Sequence, residues 1–259
     1  MKRLIIIEWL KWSKYRAFLI GISLYVGMFY LICFGLDEMI IEKAVNNFQS
    51  GNSIPVDLFN QFNPYKFPHV WHTFSWIGKF FKVILAIVVI NIVCYEFQNG
   101  TYKQNIIHGL KRWEFLFSKY LLVVFLSLLS TFTIGIAAIV SGVLYTDPSD
   151  LNFMENIHYL LLSFLNTFTY LSMAVMFAVL LKNTMTAFVI LMALWVPGDL
   201  MWLLIIPNEL AIYRPFEVID ELLPFTSHDV PIWNLVSVCF AYLGLYWSVS
   251  LLNFKKDLA

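Results

Sequence analysis

Charged residues are scarce in this sequence, and their scarcity excludes a soluble globular domain. Only 13% of the 259 residues are charged, whereas 60% are hydrophobic and 18% are aromatic, and the mean hydropathy is +0.73. A helix needs about 20 predominantly apolar residues to cross a hydrocarbon layer about 30 Å thick, and the chain contains several such runs. The sequence therefore predicts an integral membrane protein, which has the lipid bilayer as a partner and no nucleic acid.

Cysteine is also rare, with Cys33, Cys94 and Cys239 each inside an apolar run. An odd number of thiols at different depths provides no disulfide framework. We interpret the three side chains as small apolar groups that fill space between helices.

Several motifs of catalysis and nucleotide binding are missing. The only Gly-Lys pair, Gly78-Lys79, is followed by Phe80 and lacks the earlier glycine of a phosphate-binding loop. No Gly-x-Ser-x-Gly or His-Glu-x-x-His sequence occurs. His69 and His72 have the spacing of a metal-binding pair on one helix face, but no third ligand lies nearby in sequence, which favours two interfacial histidines. We expect no catalytic residue, metal or cofactor in this chain.

Six apolar runs predict an all-α, polytopic membrane fold with a single transmembrane domain over residues 1–259. The predicted spans cover about residues 17–36, 78–97, 117–144, 158–181, 185–206 and 232–252. Residues 1–16 predict an amphipathic helix on the membrane surface, because Glu8, Lys11 and Lys14 recur every three residues with tryptophan on the other side.

The basic residues predict one orientation in the cell membrane. With six spans, both termini, the loop 98–116 and the turn at Lys182 lie on the same side. That side carries Lys2, Arg3, Lys11, Lys14, Arg16, Lys103, Lys111, Arg112, Lys119, Lys182, Lys255 and Lys256. By the positive-inside rule this side is cytoplasmic. Lys79 and Lys82 lie near the outer start of the second span, where we expect their long side chains to snorkel to the interface.

The segment between the second and third spans predicts a short cytoplasmic helix with its own start and stop. Gly100 and Gly109 bracket a piece long enough for about two helical turns. Thr101 is the expected N-cap and Gly109 the expected stop.

The same segment carries a resemblance to a known family. Glu96-x-x-x-Gly100-Thr101-x-Lys103, followed by Gly109-x-x-Arg112, resembles the region between spans two and three of ABC transporter permeases of the type-2 export class. The opening Glu8-Trp9-Leu10-Lys11 and the ending Phe254-Lys255-Lys256-Asp257-Leu258 resemble the small permeases of that class, which serve peptide-antibiotic export and immunity.

This resemblance implies a permease half that exports an amphipathic peptide, drug or lipid-like substrate. Its partners would be a second permease half, identical or related, and two copies of a separate ABC ATPase subunit that binds ATP and Mg²⁺. It also implies an N-terminal connecting helix, a coupling helix in the loop 98–116 and a re-entrant outer segment between spans five and six. The residues it assigns to ATPase coupling are Glu96, Gly100, Thr101, Tyr102, Lys103, Gly109 and Arg112.

Glu96 has two interpretations. Its carboxylate can pair with Arg112 or Lys119 at the start of the third span and stiffen a lever between the two spans. Alternatively these are solvated interfacial charges, since an exposed ion pair contributes only about 0–1 kcal/mol. The residues alone leave the two interpretations open.

Asp199 is the candidate functional charge inside a span. Because Pro197-Gly198 precedes it, we expect the helix to end there and to leave Asp199 in a wet re-entrant turn, which we favour over a proton relay. An ATP-independent channel or secondary carrier is the alternative function. An intramembrane enzyme is disfavoured, because Glu96 and Asp199 are predicted at opposite membrane faces.

Overall fold

The computed structural model describes the backbone of residues 8, 10–49, 65–107, 109–146, 152–205 and 232–256. It describes the side chains of these residues except those of 36–49, 112, 195–205, 232, 235 and 254–256. All regular secondary structure in this part of the chain is α-helical.

Within the described residues, seven helices follow a short helical turn at residues 10–14. They are α1 (Arg16–Gln49), α2 (Val70–Gln98), α3 (Thr101–Ile107), α4 (Arg112–Tyr145), α5 (His158–Leu181), α6 (Thr184–Ile205) and α7 (Ile232–Lys256). In the part of the chain that the structure describes, five stretches are long and apolar enough to cross a membrane: Arg16–Gly35, Val70–Gln98, Trp113–Tyr145, His158–Leu181 and Val236–Asn253. In α6 the described apolar stretch is Thr184–Leu194. The chain is therefore a multi-pass α-helical membrane protein.

The first two helices are longer than the sequence predicted. α1 continues to Gln49, beyond the predicted end of the first span at residue 36. Good helix formers such as Glu, Lys and Ala in this extension explain its helical structure. α2 begins at Val70 instead of Gly78, because the segment after Pro68 is apolar and aromatic and contains no helix breaker. α5 has the predicted bounds.

The expected break at Pro197-Gly198 was wrong for the backbone. α6 runs without interruption from Thr184 to Ile205 and includes both residues and Asp199. A membrane helix tolerates proline when its surroundings satisfy the carbonyl that the ring leaves unbonded. The Asp199 side chain and the predicted re-entrant segment, which falls in 206–231, lie outside the described residues.

α5 is the central helix of the bundle and contacts α2, α4, α6 and α7. It is joined to α6 by a tight turn in which Lys182 adopts a left-handed conformation with φ 54°. The Asn183 side-chain oxygen accepts from the backbone N–H of Met185 at 3.0 Å and so caps α6. Because the turn is so short, the two helices pack as antiparallel neighbours.

The connections of the bundle divide between two ends. At the end that holds α3, the Gln98 side-chain amide donates to the Lys182 carbonyl at 3.5 Å, and the Asn253 amide donates to the Val179 carbonyl at 3.5 Å. At the other end, the Phe67 backbone N–H donates to the Thr146 hydroxyl at 2.9 Å. The segments that the sequence assigned to one membrane side, where described, thus meet at the α3 end.

Lys82 does not snorkel, which corrects the prediction for this residue. Its side chain is fully buried, and its Nζ donates to Asn166 Oδ1 at 2.6 Å and lies 4.8 Å from the centroid of the Tyr170 ring. Asn166 and Tyr170 are four residues apart on one face of α5, so together they hold the ammonium between α2 and α5. Lys79, in contrast, is partly exposed beside the Trp76 ring.

Gly142→Ala is predicted to destabilise the protein by about 1–3 kcal/mol, because a well-packed site resists an added methyl group. A Cβ at Gly142 would overlap the Phe67 ring, which is fixed by the hydrogen bond to Thr146 and lies 4.9 Å from the Phe153 ring. Gly27→Ala is the matched control, since nothing lies within 4 Å of its added Cβ. Thermal unfolding in detergent should show a lower midpoint temperature than that of the wild-type protein only for Gly142→Ala. Equal midpoints for the two variants would contradict this packing.

Candidate functional site

The start of α3 is set by Gly100, whose φ of +66° suits glycine. The Gly100 carbonyl accepts from the backbone N–H of Lys103 at 3.0 Å and of Gln104 at 3.4 Å. Gly100 therefore occupies the N-cap position, and the expectation that Thr101 would cap the helix was wrong. The Thr101 hydroxyl instead donates to the Glu96 carbonyl at 3.1 Å, which ties the first turn of α3 to the end of α2.

The end of α3 is set by Gly109, as predicted. Its φ is +95°, its N–H donates to the Ile106 carbonyl at 2.9 Å, and the Leu110 N–H donates to the Asn105 carbonyl at 3.1 Å. These two bonds form a Schellman motif, which requires a left-handed residue after the helix. The helix is thus closed by glycine at both ends.

Tyr102 anchors α3 to the membrane helices. Its side chain is buried, and its ring centroid lies 4.8 Å from that of Phe97 on α2, which in turn lies 6.0 Å from Phe115 on α4. The other face of α3 is open, because Lys103 and Gln104 are exposed and Ile107 is 81% exposed. One face of α3 therefore packs on two spans while the other is available to a partner.

Lys119 lies directly behind this aromatic contact and is the centre of a buried ion cluster. None of its side chain is exposed. Its Nζ lies 2.6 Å from Glu96 Oε1 on α2, and 3.1 Å from Glu8 Oε2 and 3.3 Å from Glu8 Oε1 in the N-terminal segment. One ammonium on α4 thus joins two carboxylates from two other elements.

Two further side chains complete the ion cluster. The Ser118 hydroxyl donates to Glu8 Oε1 at 3.3 Å, and Lys11 Nζ lies 3.3 Å from the same oxygen and 3.6 Å from Glu96 Oε1. Burial alone would raise the pKa of Glu8, but the Lys119 and Lys11 ammonium groups lower it below its ordinary value. Glu8 is therefore a carboxylate at neutral pH.

The structure places the sequence-predicted site residues only in part. Glu96 pairs with Lys119, one of the two partners considered, and the pair is buried instead of solvated. The Arg112 and Asp199 side chains lie outside the described residues. Glu8 was missed as a site residue, since its spacing placed it on a polar helix face.

One signal in the sequence points to Glu8. It is the only acidic residue in the first 36 positions, within a segment rich in lysine and arginine. A single carboxylate in such a basic segment indicates an ion pair with one particular lysine or arginine. The contact with Lys119, more than a hundred positions away, is visible only in the fold.

The histidines form no metal site in the described part of the chain, where no three side chains of His, Cys, Asp or Glu lie close enough to hold an ion. His72 is buried at the end of the bundle opposite α3, with its ring 5.2 Å from the Tyr159 ring. Packing against Tyr159 at that end of the bundle therefore explains the burial of His72.

Comparison with known proteins agrees with this architecture. A family model described as "ABC-2 family transporter protein" matches residues 43–228, which is more than half of the chain. The chain therefore belongs to the ABC-2 transporter family, and it is a permease component of ABC transport. Permeases of this family generally work with an ATPase subunit and form dimers. No curated protein sequence matches the chain.

Lys119→Met is predicted to destabilise the protein by about 3–5 kcal/mol, because it leaves two buried carboxylates without their main cation. Lys11→Met is the matched control. The Lys11 side chain is 38% exposed, so its loss should cost only about 0–1 kcal/mol. Denaturant unfolding of both variants in detergent measures the difference, and a Lys119→Met protein as stable as Lys11→Met would show that the cluster is not a buried ion network.

Proposed function

We propose that this chain is the transmembrane subunit of an ABC exporter that is driven by a separate ATPase subunit. The observation that carries the proposal is the attachment of α3. Tyr102 packs against Phe97 of α2, which in turn contacts Phe115 of α4, and the Glu96–Lys119 pair joins the same two helices directly behind these rings. Membership of the ABC-2 family supports this role for a short helix between two spans.

In this proposal the open face of α3 binds a groove on the ATPase. When two ATPase subunits close around ATP and Mg²⁺, α3 moves with them as a rigid body. The movement reaches α2 and α4 through the aromatic contact of Tyr102 and the Glu96–Lys119 pair, and switches the permease from an inward-open to an outward-open state.

The complete exporter would contain two permease halves and two ATPase subunits in the cell membrane, with the α3 end on the cytoplasmic side. The grouping of the basic segments at one end supports this orientation. An amphipathic peptide, drug or lipid-like molecule suits a bundle with few charges in its apolar helices. Gly100, Thr101, Lys103, Gly109 and Arg112 would complete the coupling element.

Lys82 is the observation that favours the alternative of an ATP-independent secondary carrier. A buried ionisable residue inside a membrane bundle commonly marks an ion or substrate pathway. Its contacts with Asn166 and Tyr170 also serve to join α2 to α5, and the family assignment favours the exporter. Asp199 would be the next residue to test if no ATPase partner were found.

Two substitutions on opposite faces of α3 separate docking from coupling. Ile107→Asp places a charge on the exposed face and should lower co-purification of the ATPase from native membranes by about tenfold or more, the loss expected for a central interface contact. Tyr102→Ala leaves that face intact, so the ATPase should still co-purify while transport-stimulated ATP hydrolysis falls. Mass spectrometry and an ATPase assay on the eluate measure both.

Met154→Asp is the matched control for Ile107→Asp. Met154 is 79% exposed but follows α4 at the opposite end of the bundle, so the same change in charge should leave ATPase recovery unchanged. Recovery of no ATPase with the wild-type chain, or equal recovery with Ile107→Asp, would contradict the proposed docking.

A further inference from the structure

A cavity of about 450 Å³ lies between the N-terminal segment, the end of α2 and α3. Its polar and aromatic lining comes from Lys11, Lys14, Tyr15, Tyr95, Glu96 and Gln104, and Ile92 and Trp12 add apolar surface. The described transmembrane stretches begin at Arg16 and end at Gln98 next to it. The cavity therefore opens at the level of the bilayer where lipid headgroups lie.

Glu96 gives this cavity a need for a hydrogen-bond donor. One of its carboxylate oxygens, Oε1, is bound by Lys119 and approached by Lys11. The other, Oε2, is buried and has no hydrogen-bond partner among the described residues, and the whole side chain is only 8% exposed. A buried acceptor without a donor is costly, and a donor that carries positive charge satisfies it best.

The remaining lining suits a phosphate and an ammonium group together. Lys14 is exposed and provides a cation at the rim. The Tyr15 and Tyr95 rings lie 5.6 Å apart, and aromatic rings attract ammonium groups. Carboxylate, aromatic rings and lysine thus line one cavity of a size that ordinary small-ligand sites have.

We propose that this cavity binds the headgroup of phosphatidylethanolamine, with the ammonium group donating to Glu96 and the phosphate paired with Lys14. The apolar side chains of Ile92 and Trp12 would contact the start of the acyl chains. The site would place a bilayer lipid against α3, α2 and the N-terminal segment. The ATPase contact is proposed at the exposed face of α3, and of the residues named on that face only Gln104 also lines the cavity.

Lipid binding to the purified full chain in detergent, measured by native mass spectrometry, tests this proposal. The probes are phosphatidylethanolamine, its N-methyl and N,N-dimethyl forms, phosphatidylcholine and phosphatidylglycerol. The methylated series keeps the positive charge and removes N–H donors one at a time. Phosphatidylethanolamine should bind about tenfold more tightly than phosphatidylcholine, with the intermediates in between, as expected for the loss of a charged hydrogen bond.

Two variants assign the two halves of the headgroup. Glu96→Gln should remove the preference for phosphatidylethanolamine over phosphatidylcholine. Lys14→Gln should weaken both lipids by about two- to fivefold, the range for an exposed ion pair, without changing their ratio. Lys111→Gln, an exposed lysine outside the cavity, is the control and should change neither. If Glu96→Gln does not fold, the relative affinities of the wild-type chain for the lipid series still test the proposal.

Equal affinity for phosphatidylethanolamine and phosphatidylcholine in the wild-type chain would overturn the proposal, as would tighter binding of phosphatidylglycerol. Either result would assign the cavity to a different occupant, such as a basic side chain of the ATPase partner. The measurement uses the permease alone, so it is independent of whether an ATPase co-purifies.

Discussion

The burial of the Lys119 ammonium group is the constraint on which the α3 end of the molecule depends. A lysine with no exposed side chain is tolerated only when opposite charges, hydrogen-bond acceptors or aromatic rings replace the water it has lost. Here both carboxylates come from outside α4: Glu96 from α2 and Glu8 from the N-terminal segment. Satisfying one cation therefore fixes three elements of the chain against one another.

The position of α3 follows from the same arrangement. The Thr101 hydroxyl donates to the backbone carbonyl of Glu96, whose side chain belongs to the ion cluster. The Tyr102 ring packs against Phe97, the next residue of α2. Positive φ at Gly100 and Gly109 lets the chain enter and leave the short helix sharply. Hydrogen-bonded and apolar contacts thus attach α3 to the end of α2, which the Glu96–Lys119 ion pair joins to α4. We therefore expect α3 to move as one body with the ends of these two helices.

The sequence predicted well what depends on local composition. Continuous apolar runs placed α5 at its observed bounds, and Gly109 marked the end of α3 because a left-handed residue there favours glycine. It predicted less well where polar residues are good helix formers: α1 continues to Gln49, whereas the first span was predicted to end at about residue 36. The prediction that Pro197 would interrupt α6 was likewise wrong, since the surrounding structure can satisfy the backbone carbonyl that proline leaves without a hydrogen bond.

The candidate site required contacts that no local pattern contains. The three-residue spacing of Glu8, Lys11 and Lys14 predicts a helix over residues 1–16, of which residues 10–14 are described as helical while 1–7 and 9 lie outside the described residues. Burial of Glu8 depends on Lys119 far along the chain. Lys82 was similarly judged by its distance from the end of a span, whereas Asn166 on α5 determines its position. Spacing along one helix predicts which residues share a face, and only the packed bundle decides what that face meets.

The most direct test of rigid coupling is a spin-label distance between Ser13→Cys and Asn99→Cys in the assembled exporter, since Asn99 directly precedes α3 and lies outside the residues proposed to contact the ATPase. Both positions are exposed, whereas Cys33, Cys94 and Cys239 are buried. Pulsed electron paramagnetic resonance would compare the nucleotide-free and ATP-bound states. This account predicts the same narrow distance distribution in both states, and a broad one once Lys119→Met is introduced. A change of this distance on ATP binding in the otherwise unaltered protein would show that the N-terminal segment and α3 move separately and would contradict the account.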